Sequence, residues 1–281
     1  MAFKRILAVV TGEACDAAAL AAAFALARPA AGHVDALHVR PDPRDAVPML
    51  GEGVSGGLVE QIMSVSAEAA SRRAAAARET FARARDAAGL PPAGPGAAFL
   101  DLTGRAAEIV TAEARLADLA VFACAQATDD ADGAPVLEAV LTGGGRPLLL
   151  APPELPAAIG RHVAIAWNGG TEAARAVAAA MDAVTRAERV TILTAGTAKT
   201  RAGQAEGLRA YLAWHGVAAE VASVPSHADG VGAALLAAAG TAGADLLVMG
   251  GYGRSRLREL ILGGVTRHVL NHARLPVLMA H

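Results

Sequence analysis

Short apolar runs alternate with longer stretches of helical periodicity along most of the chain. In the second half the apolar runs are HVAIAW, RVTILTA, AAEVASV, DLLVMG and PVLMA. Between them, apolar residues recur with helical spacing at 172–184, 202–215, 231–239 and 265–272. Near-continuous apolar strands that alternate with helices are typical of a mostly parallel sheet covered on both faces. The pattern therefore predicts a doubly wound α/β fold.

The same order of elements occurs twice. The stretch RILAVVTGEACDAAALAAAFALA, from Arg5, resembles HVAIAWNGGTEAARAVAAAMDAV, from His162. Further on, ADLAVFACA matches ADLLVMGGY, and RPLLLAP matches LPVLMAH, which closes the chain. A preserved order indicates one architecture used twice. We therefore predict two tandem five-stranded domains, residues 1–151 and 161–281, joined by the proline-containing linker APPELPAAIG.

The first repeat contains an additional segment between Pro41 and Gly89. Its pattern predicts a loop and one long helix with charges along one side, including Glu68 and Arg72 at positions i and i+4. A solvated helix that covers the sheet explains this pattern, and a surface for a protein partner is the alternative.

Composition restricts the kind of protein. Hydrophobic residues make up 54% of the 281 residues and charged residues 19%, so a large core is available. The formal net charge of −2 gives no electrostatic reason to expect a nucleic-acid partner. The apolar runs fall short of a membrane span, and no signal peptide is evident. We expect a soluble cytoplasmic protein in which the isolated Cys15 and Cys124 are small buried residues.

The candidate functional chemistry lies in the stretch DLLVMGGYGRSRLRELILGGVTRHVL. Gly250, Gly251 and Gly253 follow an apolar strand, and Gly263 and Gly264 precede a helix-like pattern. Without side chains, backbone N–H groups at both places can approach one anion closely, and a helix N-terminus favours negative charge. The glycines therefore predict a site for nucleotide phosphates.

The spacing G-x2-G-x9-G, met by Gly250, Gly253 and Gly263, resembles that of the universal stress protein family. The opening strand VAIAWNG and the closing strand LPVLMA share this resemblance, which covers essentially the whole chain. It implies a tandem member with a Rossmann-like fold of the adenine nucleotide alpha hydrolase type, paired through the last strands. Because both last strands lie in one chain, we expect an intramolecular pseudo-dimer, while a homodimer of whole chains stays open.

The resemblance implies ATP in the second domain only, with magnesium as a companion of the phosphates. In ATP-binding members the residue after the last glycine is Ser or Thr, and an Asp ends the first strand. Here these residues are Gly264, which keeps its N–H but has no hydroxyl, and Asn168, which brings no charge. The predicted nucleotide-binding residues are Asn168, Ala195, Gly250, Gly253, Arg254, Gly263, Gly264, Val265 and Thr266.

Two of these residues have alternative interpretations. Thr266 could replace the missing hydroxyl, or its side chain could lie on the helix side. Arg254 could bind a phosphate through its guanidinium group, or it could be a solvated charge. The base is expected between the ends of the first two strands of the domain, near Asn168 and Ala195.

The first domain departs further from the family's pattern. Thr11 stands at its first-strand position, and all four positions that correspond to the glycines carry side chains. Proline in particular has no N–H to offer a phosphate. We therefore expect that this domain does not bind nucleotide in the family's way. The residues at the four glycine positions are Ala123, Gln126, Ala134 and Pro135.

Three functions compete. The first is a stress-response or regulatory protein in which ATP occupancy acts as a conformational signal, with slow hydrolysis at most because the motif supplies no evident general base. The second is a nucleotide-independent protein that binds an unidentified protein partner. The third is an enzyme on the same sheet type, against which stands the absence of a catalytic cluster in the sequence. His268 and His272, at i and i+4, lack further ligands nearby in sequence, so we predict no metal site.

Overall fold

Strands and helices alternate along the chain, as the hydrophobic pattern predicts. The computed structural model describes residues 3–42, 56–91, 96–124, 133–195, 198–225, 228–252 and 264–281. In these ranges no helix combines the length and the apolar character needed to cross a membrane. The elements of the first half are β1 (Arg5–Val10), α1 (Asp16–Ala27), β2 (His33–Arg40), α2 (Gly56–Ala87), β3 (Ala97–Thr103), α3 (Ala106–Ala114), β4 (Leu119–Ala123), α4 (Ala134–Gly143) and β5 (Leu148–Ala151).

The second half repeats this order, with a helix of 17 residues at the place of the 32-residue α2. Its elements are β6 (His162–Ala166), α5 (Thr171–Arg186), β7 (Arg189–Ala195), α6 (Ala198–Trp214), β8 (Ala219–Val224), α7 (Gly230–Ala242), β9 (Leu246–Gly250), α8 (Gly264–His272) and β10 (Val277–Ala280).

The strands form one sheet in the order β3-β2-β1-β4-β5-β10-β9-β6-β7-β8. Pairing within each half is parallel, whereas β5 and β10 meet antiparallel, with Leu149 opposite Leu278. The last strand of each half therefore covers the edge that the other half would expose. This arrangement confirms the predicted α/β fold class and the pairing of the two halves through their last strands.

Both faces of the sheet are covered by helices. Alternate residues of a strand point to opposite faces, so Ile6 and Ala8 of β1 pack in one core and Leu7 in the other. The first core also contains residues of α1, α2, α5 and α6, and the second contains residues of α3, α4, α7 and α8. Strands buried on both faces explain why their sequences are continuously apolar.

Helix α2 covers the outer part of the first half. Its buried residues Ala77 and Phe81 join the first core, and the Phe81 ring lies 5.7 Å from that of Phe99 in β3. On the opposite side, Glu68 and Arg72 are 3.8 Å apart and about 70% exposed, consistent with a weak surface pair. The long covering helix predicted from the sequence is thus confirmed.

Candidate functional site

The strands β7, β6 and β9 end at one edge of the second half. Ala166, the last residue of β6, lies opposite Leu193 of β7 and Met249 of β9, which end within the next two residues. Helix α5, which follows β6, and helix α8, which follows β9, pack on opposite faces. Ligands of open α/β sheets bind in the crevice that such diverging connections create.

Gly250 ends β9 against the first turn of α5. A Cβ built on Gly250 would lie 2.7 Å from the backbone N of Ala173 and 2.8 Å from the carbonyl carbon of Glu172. Only a glycine allows this approach, which brings the end of β9 beside the positive end of the α5 dipole. Packing alone therefore requires a glycine at this position, whether or not a phosphate binds.

The turn after β9 is held from three directions. The N–H of Gly251 donates to the carbonyl of Ala280 in β10 at 2.8 Å. A Cβ on Gly251 would lie 2.7 Å from Cδ2 of Leu141, which belongs to α4 of the first half. The N–H of Tyr252, a residue with φ of +54°, donates to Oγ1 of Thr266 in α8 at 3.3 Å. The candidate phosphate turn is thus attached to β10, to α8 and to the other half.

Helix α8 begins at Gly264 with no acidic residue in its first turn. Its first N–H groups have no partner within the helix and can bind an anion. Gly264 is exposed, with open space where a Cβ would stand, and Val265 is half-buried. Thr266 is buried, and its hydroxyl accepts the Tyr252 N–H. Thr266 therefore positions the glycine turn, which is a role that sequence spacing did not reveal.

Asn168 shapes the turn between β6 and α5. Its Oδ1 accepts the N–H of Gly170 at 2.8 Å, across Gly169 with φ of +73°. This Asx turn leads into α5, because Gly170 at the N-cap has no side chain of its own to cap the helix. The exposed Asn168 then offers its NH2 group as a donor, and Ala195 lies half-buried at the end of β7.

Six of the nine predicted residues have described positions, all at strand ends or in the first turn of α8. The other three, Gly253, Arg254 and Gly263, lie outside the described residues. Nucleotide binding by these residues stays a prediction. No group of three or more His, Cys, Asp or Glu side chains that could hold a metal ion occurs in the part of the chain that is described.

The corresponding crevice of the first half contains a cavity of about 300 Å³. It lies at the carboxyl ends of β1, β2 and β4, beside α2, α3 and the start of α4. Apolar side chains dominate its walls, together with His38 and Thr11. Sequence reasoning missed this cavity because it depends on how α2 packs against the strand ends.

A buried carboxylate organises the turn between β1 and α1. Asp16 is fully buried, and its carboxylate accepts the N–H of Gly12 at 2.7 Å, and the N–H and hydroxyl of Thr11 at 3.0 and 3.2 Å. Burial raises the pKa of Asp16, although these hydrogen bonds oppose the rise. Gly12 has φ of +88°, and a Cβ on it would lie 2.4 Å from the carbonyl oxygen of Arg73 in α2. Helix α2 thus packs directly on this turn.

Comparison with known proteins assigns the second half to a family. Residues 171–281 match the model of the universal stress protein family. The second half is a universal stress protein domain. A comparison with curated proteins gives no match. The resemblance inferred from the glycine spacing and the closing strand is therefore confirmed.

Solved structures extend the likeness to the whole chain. A universal stress protein from Archaeoglobus fulgidus has a TM-score of 0.69 at 16% identity, and the match covers 99% of this chain and 98% of that one. A functionally unknown protein from Pseudomonas aeruginosa has a TM-score of 0.57 at 15% identity, covering 99% and 92%. The entire chain thus shares its fold with a universal stress protein of similar length.

Proposed function

We propose that the protein is a stress-response regulatory protein that binds ATP in its universal stress protein domain. The observation that carries this proposal is the attachment of the glycine turn Gly250–Tyr252 to the first turn of α8 through Thr266. This attachment brings the glycine turn beside the first N–H groups of α8, at the crevice where β6, β7 and β9 end.

In the proposed complex, the phosphates bind N–H groups at the start of α8, at Gly264 and Val265, and magnesium would accompany them as a counter-charge. The base lies between the ends of β6 and β7, near Asn168 and Ala195. The Asn168 NH2 group donates to the ribose or the base edge, since its Oδ1 is engaged by Gly170. Backbone donors supply no general base, so we propose slow hydrolysis at most and signalling by occupancy.

Equilibrium binding of a fluorescent ATP analogue in the presence of magnesium tests this proposal. Gly264→Asp places a carboxylate in the first turn of α8, where the space around a Cβ is open, so the domain should stay folded. Repulsion between this carboxylate and the ATP phosphates should weaken binding about tenfold or more, and a tenfold loss is equivalent to about 1.4 kcal/mol. Pro135→Asp, at the aligned position of the first half, is the matched control and should leave binding unchanged. Failure of the unaltered protein to bind at millimolar ATP would overturn the proposal.

A nucleotide-independent interaction protein is the second candidate. Two observations favour it: Gly264 supplies no hydroxyl, and the Asn168 Oδ1 is already hydrogen-bonded within its own turn. Native mass spectrometry of the freshly purified full-length protein separates the candidates, because it reports bound nucleotide and oligomeric state together. One ATP per chain supports the first candidate. A protein that is free of nucleotide and does not take up added ATP supports the second, with its unidentified protein partner.

A further inference from the structure

The cavity of the first half has the size and the composition of a small-molecule site. Its volume of about 300 Å³ lies at the lower end of the range typical of ligand pockets, roughly 300–1,000 Å³. Val9, Val110, Phe122 and Val136 supply much of its apolar wall. It also occupies the position at which open α/β sheets bind ligands, where β1 and β4 send their helices to opposite faces.

A buried imidazole is one of the polar groups on the wall of this cavity. His38 of β2 is 3% exposed and lines the cavity. Its Nδ1 lies 3.2 Å from Oδ1 of Asp101, the residue opposite it in β3. Arg40 binds both carboxylate oxygens of Asp101, and this hydrogen bonding lowers the pKa of Asp101 to about 2. An ionised carboxylate can only accept, so Nδ1 of His38 carries the proton.

The proton on Nδ1 decides the hydrogen-bonding role of the other ring nitrogen, Nε2. In the tautomer that carries its hydrogen on Nδ1, Nε2 is the acceptor. Within the described parts of the chain, Nε2 has no hydrogen-bond partner. A molecule in the cavity that carries a hydrogen-bond donor would give this acceptor a partner.

The same crevice is unsuited to a polyphosphate. The N–H groups of Thr11 and Gly12, which could bind an anion, already donate to the buried carboxylate of Asp16. A second carboxylate, that of Glu13, lies on the wall, and Pro135 in the first turn of α4 has no N–H to donate. The exposed Arg73 at the wall is the opposing charge. A neutral ligand fits these groups better than an anion does.

We propose that the first half binds a small, neutral, mainly apolar molecule whose hydroxyl or N–H group donates to Nε2 of His38. The site is separate from the candidate ATP site, and the proposal does not depend on ATP binding.

Calorimetric titration of the full-length protein with indole and with benzofuran tests the proposal. The two probes have similar shape and size, but only indole carries an N–H donor. Indole should bind saturably at one site per chain, and the affinity of benzofuran should be at least about tenfold lower. In His38→Leu the difference between the probes should disappear. Saturable binding without a preference for indole would overturn the role of His38, and absence of saturable binding would overturn the site.

A cavity-filling variant tests the location without altering His38. Ala70 lines the cavity from α2, and Ala70→Phe should fill it and abolish indole binding. Ala75→Phe places the same ring on an exposed position of the same helix and should leave binding unchanged. Indole binding that survives Ala70→Phe would show that the probe binds elsewhere. Thermal unfolding of both variants verifies that each is folded.

Discussion

The turns that follow β1 and β6 occupy equivalent places in the two halves, but their backbone N–H groups have different acceptors. In the first half the carboxylate of Asp16 binds the N–H groups of Thr11 and Gly12. In the second half the aligned position is Ala173, and Asn168 accepts a single N–H from Gly170. The first turn is thus organised by a carboxylate, whereas the second is organised by an uncharged amide oxygen. Substitutions at a few positions therefore change which acceptors the N–H groups of the same turn bind in two copies of one fold.

The strands that border these turns differ in a related way. Ala123 at the end of β4 carries a buried methyl group, whereas Gly250 at the end of β9 lies against the backbone of α5. In the first half α2 packs on Gly12 and leaves a cavity beside His38. The crevice is therefore common to both halves, and the side chains of each half decide which part of it is filled.

Substitutions of the residues that end β9 and β4 should have the largest effect on the free energy of unfolding. Gly250→Ala places a Cβ within 3 Å of backbone atoms of Glu172 and Ala173, and we expect a loss of about 3 kcal/mol in the free energy of unfolding. Ala123→Gly removes a buried methyl group and should cost about 1 kcal/mol. Urea denaturation measures both. Equal losses would contradict a special requirement for glycine in the second half.

Removal of the internal anion should have the next largest effect. Asp16→Ala leaves the N–H groups of Thr11 and Gly12 without their acceptor, and we expect a loss of about 2 kcal/mol. Glu79→Ala breaks only an exposed pair with Arg83 and should cost less than about 0.5 kcal/mol. If the two variants unfold at the same urea concentration, Asp16 does not organise the turn.

The pH dependence of stability should reveal the Arg40–Asp101 pair beside the cavity. The folded-state pKa of Asp101 is about 2, below its ordinary value of 3.8. Its contribution to stability is therefore complete above pH 3.8 and is lost as the pH falls through about 2. Asp101→Asn should be less stable than the unaltered protein at pH 5 and should lose less stability between pH 4 and pH 2. If the stability of the two proteins changes equally between pH 4 and pH 2, the low pKa assigned to Asp101 is wrong.

The same titration carries an opposite contribution from Asp16. Because its folded-state pKa is raised, Asp16 gains a proton more readily in the folded protein. It therefore adds stability as the pH falls through its folded-state value towards 3.8, the reverse of Asp101. In Asp16→Asn this increase in stability at falling pH should be absent, and urea denaturation at several pH values and constant ionic strength measures it.

The smallest expected effect is on the labelling rates of the two cysteine thiols, which report how accessible the crevice of the first half is to solvent. Burial raises the pKa of Cys15 to about 11 and that of Cys124 to about 12, so little thiolate exists at neutral pH. Both should react more slowly with iodoacetamide than in the urea-unfolded chain, Cys124 more slowly than Cys15. Peptide mass spectrometry measures each rate. Faster labelling of Cys124 would indicate that the end of β4 is open.

Much of the architecture could be predicted because it is written in local patterns. Continuous apolar strands and the repeated order of elements predicted the two halves, and the family resemblance implied that they pair through their last strands. The antiparallel direction of that pairing is visible only in the structure. The glycine spacing led to the family. The site was predicted less fully: the hydroxyl of Thr266 binds the Tyr252 N–H, and Gly250 is required by its approach to α5. Neither contact is visible in the spacing of residues.

The order of strands and helices, the internal duplication and the position of the candidate phosphate turn follow from the amino-acid pattern alone, since each rests on periodicity or on neighbouring residues. Three features need the folded chain: Asp16 accepts the N–H groups of the first turn, Gly251 packs against Leu141 of the other half, and a cavity remains beside His38. These features arise from contacts between segments far apart in the chain, and the packing of whole helices on the sheet sets those contacts.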